Sequence, residues 1–105
     1  MNFGLSENTI LNLNTVFENH VEIEKVIIYG SRAKRNHKNG SDIDFSLVGD
    51  NITFDILTII NLEIEALNTP YLYDTSIFHT LKSSEILDQI NRVGKIFYPQ
   101  PLVFN

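Results

Sequence analysis

IIYGSRAKRNHKNGSDIDFSLV, residues 27–48, sets a Gly-Ser turn ten residues ahead of an Asp-Ile-Asp pair. Residues 26–29 are a continuous apolar run of β-formers that stops abruptly at Gly30, the pattern of a buried strand entering a turn. The good helix formers Arg32, Ala33, Lys34 and Arg35 follow, predicting a short helix with Ser31 at or near its N-cap. Strand, Gly-Ser, helix is an anion site: free N–H groups and the positive end of the helix dipole face whatever lies beyond the strand. Glycine lets the backbone approach that anion, and the serine hydroxyl can donate to it. Asn39-Gly40 predicts a tight turn, so a short basic loop joins the helix to the next strand.

That next strand reads by alternation, with Ile43, Phe45 and Leu47 on one face and Asp42, Asp44 and Ser46 on the other. Two carboxylates on one face repel unless a cation lies between them. Oxygen-only ligands suit Mg²⁺ or Mn²⁺, and Mg²⁺ commonly takes one or two carboxylates together with substrate phosphates. At average residue frequencies, these four residues in this order and spacing arise by chance in roughly one chain in a thousand of this length. The motif therefore supports a functional hypothesis.

Gly30-Ser31 followed by Asp42-Ile43-Asp44 resembles the signature of the nucleotidyltransferase superfamily, whose fold is shared with the palm of DNA polymerase beta. The short chain and the Gly30-Ser31-Arg32-Ala33 wording look most like the minimal nucleotidyltransferase (MNT) proteins, which pair with HEPN-type partners as antitoxin and toxin. Arg35 departs from the glycine that many such proteins carry after the helix turn, which bears on the shape of the basic loop and not on the metal site. The resemblance implies an α/β fold, a small mixed sheet with packed helices. It also implies a third carboxylate on a later strand. Asp74 is the candidate, the single acid in the aromatic and β-branched run of residues 71–78 after Pro70. The bland alternative for Asp74 is an edge-strand acid facing water.

On this reading Asp42 and Asp44 hold two divalent ions, with Mg²⁺ expected and Mn²⁺ an alternative. Asp74 holds the catalytic ion or accepts the acceptor's proton, and Gly30 and Ser31 cradle the β- and γ-phosphates. Net charge is −5, which argues against broad nucleic-acid binding, and no direct nucleic-acid partner is expected. Yet Arg32, Lys34, Arg35 and Lys38 hold four of the eight basic residues within seven positions. Elsewhere such a run would be a solvated helix face. Directly after a phosphate cradle it reads as triphosphate neutralisation, with Arg32 and Lys38 as the direct nucleotide contacts.

The 105 residues, 43% hydrophobic, are expected to form a single nucleotidyltransferase domain over residues 1–105. No cysteine is present, which fits a reducing cytoplasm, and neither a signal peptide nor a membrane-spanning apolar run is apparent. Helices are predicted over residues 6–19, with Ser6 as N-cap and Ile10, Leu13 and Phe17 inward, over residues 53–68, and over residues 84–93. The second should bury Leu57, Ile60, Ile64 and Leu67, turn Asn61, Glu63 and Glu65 outward, and stop before Pro70. A short last strand is predicted over residues 95–98. His20 and His79 read as surface or loop histidines, His37 as an exposed loop residue or a phosphate contact, and Tyr29, Tyr71 and Tyr73 as strand packing. The apolar Leu102-Val103-Phe104 either tucks onto the domain or meets a partner.

Three functions follow. The first is transfer of AMP from ATP to a tyrosine hydroxyl of a small helical HEPN-type partner, as the MNT resemblance implies. The second is neutralisation of such a partner by contact alone, and the third is nucleotidylation of a small molecule such as an aminoglycoside. Three repelling acids count against the second, and the little surface available to enclose a small acceptor counts against the third.

Overall fold

The computed structural model describes residues 2–34 and 42–100. In chain order the elements are α1 (Glu7–Glu18), β1 (Lys25–Tyr29), α2 (Ser31–Lys34), β2 (Ile43–Val48), α3 (Phe54–Glu65), β3 (Tyr73–Ile77), a 3₁₀ turn (Phe78–Thr80), α4 (Ser84–Val93) and β4 (Lys95–Tyr98). Three helices begin at hydroxyl caps. The side chains of Ser6, Thr53 and Ser83 accept from the backbone N–H groups of Thr9, Ile56 and Ile86, each satisfying a donor that the first turn leaves without a helical partner.

The sheet order is β3-β2-β1-β4. β1 runs antiparallel to both β2 and β4, whereas β2 and β3 are parallel, so α3 serves as the crossover that a parallel pair requires. This is the expected α/β fold with a small mixed sheet. One sheet face is largely apolar. Val26, Ile28, Ile43, Phe45, Leu47, Ile77 and Phe97 pack there with Leu13 and Phe17 of α1 and with Ile60 and Ile64 of α3. Phe17 meets Phe45 edge-on, with ring centroids 5.5 Å apart.

α3 is shorter than its periodicity predicts. It ends at Glu65, and Asn68 takes a left-handed conformation at φ 56° ahead of Pro70. Asparagine tolerates that region, and the helix cannot continue into a proline. Two α3 residues expected to face water are half-buried instead. Asn61 Oδ1 accepts a hydrogen bond from Thr75 Oγ1 at 2.9 Å, linking α3 to β3, and Glu63 contacts His20, two residues past the end of α1. Among the described residues no helix is long and apolar enough to cross a membrane.

Candidate active site

The second face of the sheet carries the polar residues, and strand register brings them to one end. β1 ends where β2 and β3 begin. Tyr29 lies directly opposite Asp44 across the antiparallel pair, and Asp44 lies directly opposite Asp74 across the parallel pair. Residues opposite one another in a ladder share a face, so Tyr29, Asp44 and Asp74 form a row across three strands. Two residues further along, Ile27, Ser46 and Ser76 form a second row on the same face. α4 closes this second row from the β1 side: a Cβ placed on Gly94 would meet Ile27 Cγ2 at 2.9 Å. Asp42 precedes β2 by one residue and is exposed, as is Asp74, whereas Asp44 is half-buried.

Gly30 is where the turn and the acids meet. Its φ is +76°, a region that a side chain enters only with strain, and its carbonyl accepts from Lys34 N, so Gly30 itself caps α2 and Ser31 is the first helical residue. A Cβ at Gly30 would lie 2.4 Å from Asp44 Oδ2. The missing side chain is therefore the space in which the Asp44 carboxylate sits.

Electrostatics agree with that geometry. Burial first, then the charges of Asp74 and Asp42, raise the pKa of Asp44 above the ordinary aspartate value. Burial also raises the pKa of Tyr29, followed by the charges of Asp44 and Asp74, while the neighbouring Ser76 hydroxyl acts in the opposite sense. Mutual repulsion of this kind is what a divalent cation would relieve, and the all-oxygen donor set suits Mg²⁺ or Mn²⁺. Among the described residues, no three acidic or histidine side chains gather closely enough to cage an ion unaided. The arrangement fits an ion held by carboxylates and completed by substrate phosphates, the usual habit of Mg²⁺.

Arg32 stands apart from its expected role. It is 2% exposed, its Nη1 donates to the Phe3 carbonyl at 2.9 Å, and its guanidinium lies 4.8 Å from the centre of the Tyr71 ring. That placement makes it a strut between α2, the N-terminal segment and the entry to β3, and does not present it to a phosphate. Lys34 is exposed at the end of α2. Lys38, Arg35, His37 and the Asn39-Gly40 turn lie outside the described residues, as do Leu102, Val103 and Phe104.

Sequence reasoning missed the buried polar layer beneath the acids. Ser46 is fully buried and accepts a hydrogen bond from Ser76 Oγ at 3.0 Å. A signal was available: Asp44-Phe45-Ser46 and Asp74-Thr75-Ser76 repeat one Asp-x-Ser pattern on neighbouring strands.

Comparison with known proteins gives a consistent assignment. The family model described as Polymerase beta, Nucleotidyltransferase matches residues 12–101. No curated protein matches the chain. Among solved structures, a toxin–antitoxin crystal structure with AMP-PNP is similar at TM-score 0.66 and 20% identity, covering 90% of this chain and 73% of its own. A tri-AMPylated Shewanella oneidensis HEPN toxin in complex with MNT antitoxin aligns at TM-score 0.58 and 17% identity, over 86% of this chain and 71% of that one. A Sulfolobus solfataricus protein described as a nucleotidyltransferase aligns at TM-score 0.52 and 18% identity, over 97% and 98% of the two chains. At these identities the likeness is one of fold.

Proposed function

Since the chain belongs to the polymerase beta-type nucleotidyltransferase family, we propose that it transfers AMP from ATP to a tyrosine hydroxyl of a HEPN-type partner and thereby acts as an antitoxin. The observation that carries this reading is the placement of the Asp44 carboxylate against the bare Cα of Gly30, in register with Asp74. It joins the turn suited to a triphosphate with the acids suited to its counter-ions. The structural neighbours with AMP-PNP or an AMPylated HEPN toxin support the choice of nucleotide and partner.

In this reaction the acceptor oxygen attacks the α-phosphorus, a new P–O bond forms, the bond to the bridging oxygen of the β-phosphate breaks, and pyrophosphate leaves. Asp42 and Asp44 would hold the divalent ions and Asp74 would join them on the acceptor side, where its exposed position on the edge strand would let it take the acceptor's proton. Bound divalent ions neutralise charge on the α-phosphate and the leaving group. Gly30 and Ser31 offer backbone N–H groups and a hydroxyl to the β- and γ-phosphates. Lys38 is retained as a second phosphate contact, and Arg32 holds the turn in place. The chain's own contribution is then positioning and electrostatics.

Labelled nucleotides test this directly. With Mg²⁺ and the partner present, ATP labelled at the α-phosphate should mark the partner, and ATP labelled at the γ-phosphate should not. A partner that binds tightly yet takes label from neither would point to neutralisation by contact alone.

A further inference from the structure

The sheet has two edges, and only one of them is protected against further pairing. Edge strands present unpaired backbone groups, which proteins usually blunt with short strands, bulges, lysine or proline. β4 carries these devices: it has four residues, begins at Lys95, shifts register in its pairing with β1 and runs into Pro99. β3, at the opposite edge, lacks the lysine, the proline and the register shift, and pairs with β2 in unbroken parallel register. The Ile43 N–H donates to the Leu72 carbonyl at 2.9 Å, so Leu72 turns its carbonyl to β2. Backbone groups alternate sides along a strand. Asp74 and Ser76 therefore also bond β2, whereas Tyr73 and Thr75 turn their N–H and C=O groups outward. Among the described residues no strand pairs with that edge.

A strand added there places one residue directly opposite Asp74, with its side chain on the face of the acids. The residues on either side of it turn to the other face, where a cavity of about 260 Å³ opens between α3 and β3, lined by Asn61, Ile64, Glu65, Tyr71 and Tyr73. Asp74 and Glu65 are exposed on the two faces of this edge, so they complement a segment that is basic beside that central residue. The added strand stands about 4.8 Å from β3 and about twice that from β2. A serine or threonine hydroxyl, one bond beyond Cβ, stays over its own strand. A tyrosine hydroxyl, carried past a ring, reaches across Asp74 toward Asp44. We propose that the free edge of β3 is the docking site for the acceptor protein, which pairs an extended basic segment with it and so sets a tyrosine hydroxyl over Asp44 and Asp74. This inference rests on the transfer reaction given above, and adds where the acceptor binds and why it is a tyrosine.

The test is backbone amide exchange in the full chain, read by NMR with and without a HEPN-type partner, in Mg²⁺ and a non-hydrolysable ATP analogue. In the free chain the Tyr73 and Thr75 amides should exchange readily, while those of Asp74 and Ser76, bonded to β2, exchange slowly. In the complex the first two should slow by at least about tenfold. Thr75→Pro removes an outward N–H without touching the β2 ladder, a place where an edge strand tolerates proline. With ATP it should lower AMP addition to the partner at least about tenfold relative to Thr75→Val, which removes the same Asn61 bond but keeps the N–H. Unprotected Tyr73 and Thr75 amides in the complex with a partner that the parent chain modifies, or equal transfer by the two Thr75 variants, overturns the inference alone. So does slow exchange of those amides in the free chain, the result expected if a second copy already fills the edge. A parent chain that transfers no AMP to the partner overturns the transfer reading and the inference together.

Discussion

Asp44 is the residue on which the proposed site turns, because its carboxylate sits against Gly30 on one side and it lies opposite Asp74 across the parallel strands on the other. Its carboxylate is disfavoured by burial and by Asp74 and Asp42, so without a cation the charge opposes folding. Asp44→Asn should therefore raise the melting temperature of the metal-free chain while lowering Mg²⁺-dependent transfer by at least about a hundredfold, read by calorimetry and by label transfer. Asp42→Asn should produce a comparable loss of transfer. Gly30 responds in the opposite way. An alanine there meets Asp44 Oδ2 and must hold a left-handed φ, so Gly30→Ala should destabilise by on the order of 2 kcal/mol and abolish transfer, as denaturant melts and assays would reveal. A Gly30→Ala chain with parental stability and transfer would mean that Asp44 does not need that space.

At the scale of elements, the short helix α2 is held by its own Arg32. Its guanidinium lies between the Phe3 carbonyl and the Tyr71 ring, joining three segments distant in sequence. Arg32→Ala should cost about 3 kcal/mol by leaving a buried carbonyl without that donor and removing the ring contact. Arg32→Lys should recover little, since a lysine ammonium cannot both reach the carbonyl and stack on the ring. A mutant that keeps full stability but loses ATP affinity would return Arg32 to the phosphates. Most of the elements were legible in the sequence because each carried its own signal: the 3.6-residue period and hydroxyl cap of α1, the alternation of β2, the apolar run of β1. The acids were legible for the same reason, since a spacing of two fixes a shared face. What was not legible depends on packing between segments. Arg32 reads as one cation among four until the fold brings Phe3 and Tyr71 to it, and the Ser46–Ser76 bond exists only once β2 and β3 pair in parallel register. The last turn of α3 was overestimated because residues 66–68 continue its polarity pattern, whereas Asn68 takes the left-handed conformation.

For the whole molecule, the sheet divides the labour. Its apolar face supplies the hydrophobic core with α1 and α3, and its polar face carries the acids at one end and is closed by α4 at the other. Among the described residues Asp42 and Asp74 are exposed, so the side of the site proposed to meet the acceptor is uncovered by them. Water can compete for the activated phosphate at an open site, and a partner that presents a tyrosine there both covers the site and supplies the acceptor. Asp74→Asn should accordingly abolish transfer without preventing association with the partner, seen as co-elution in size-exclusion chromatography without modification. The most direct test is the intact mass of a HEPN-type partner after incubation with this chain, ATP and Mg²⁺, beside the Asp44→Asn variant. The predicted result is one or more AMP additions to the partner with the parent chain and none with the variant. An unmodified partner under every nucleoside triphosphate, or equal modification by Asp44→Asn, would contradict it.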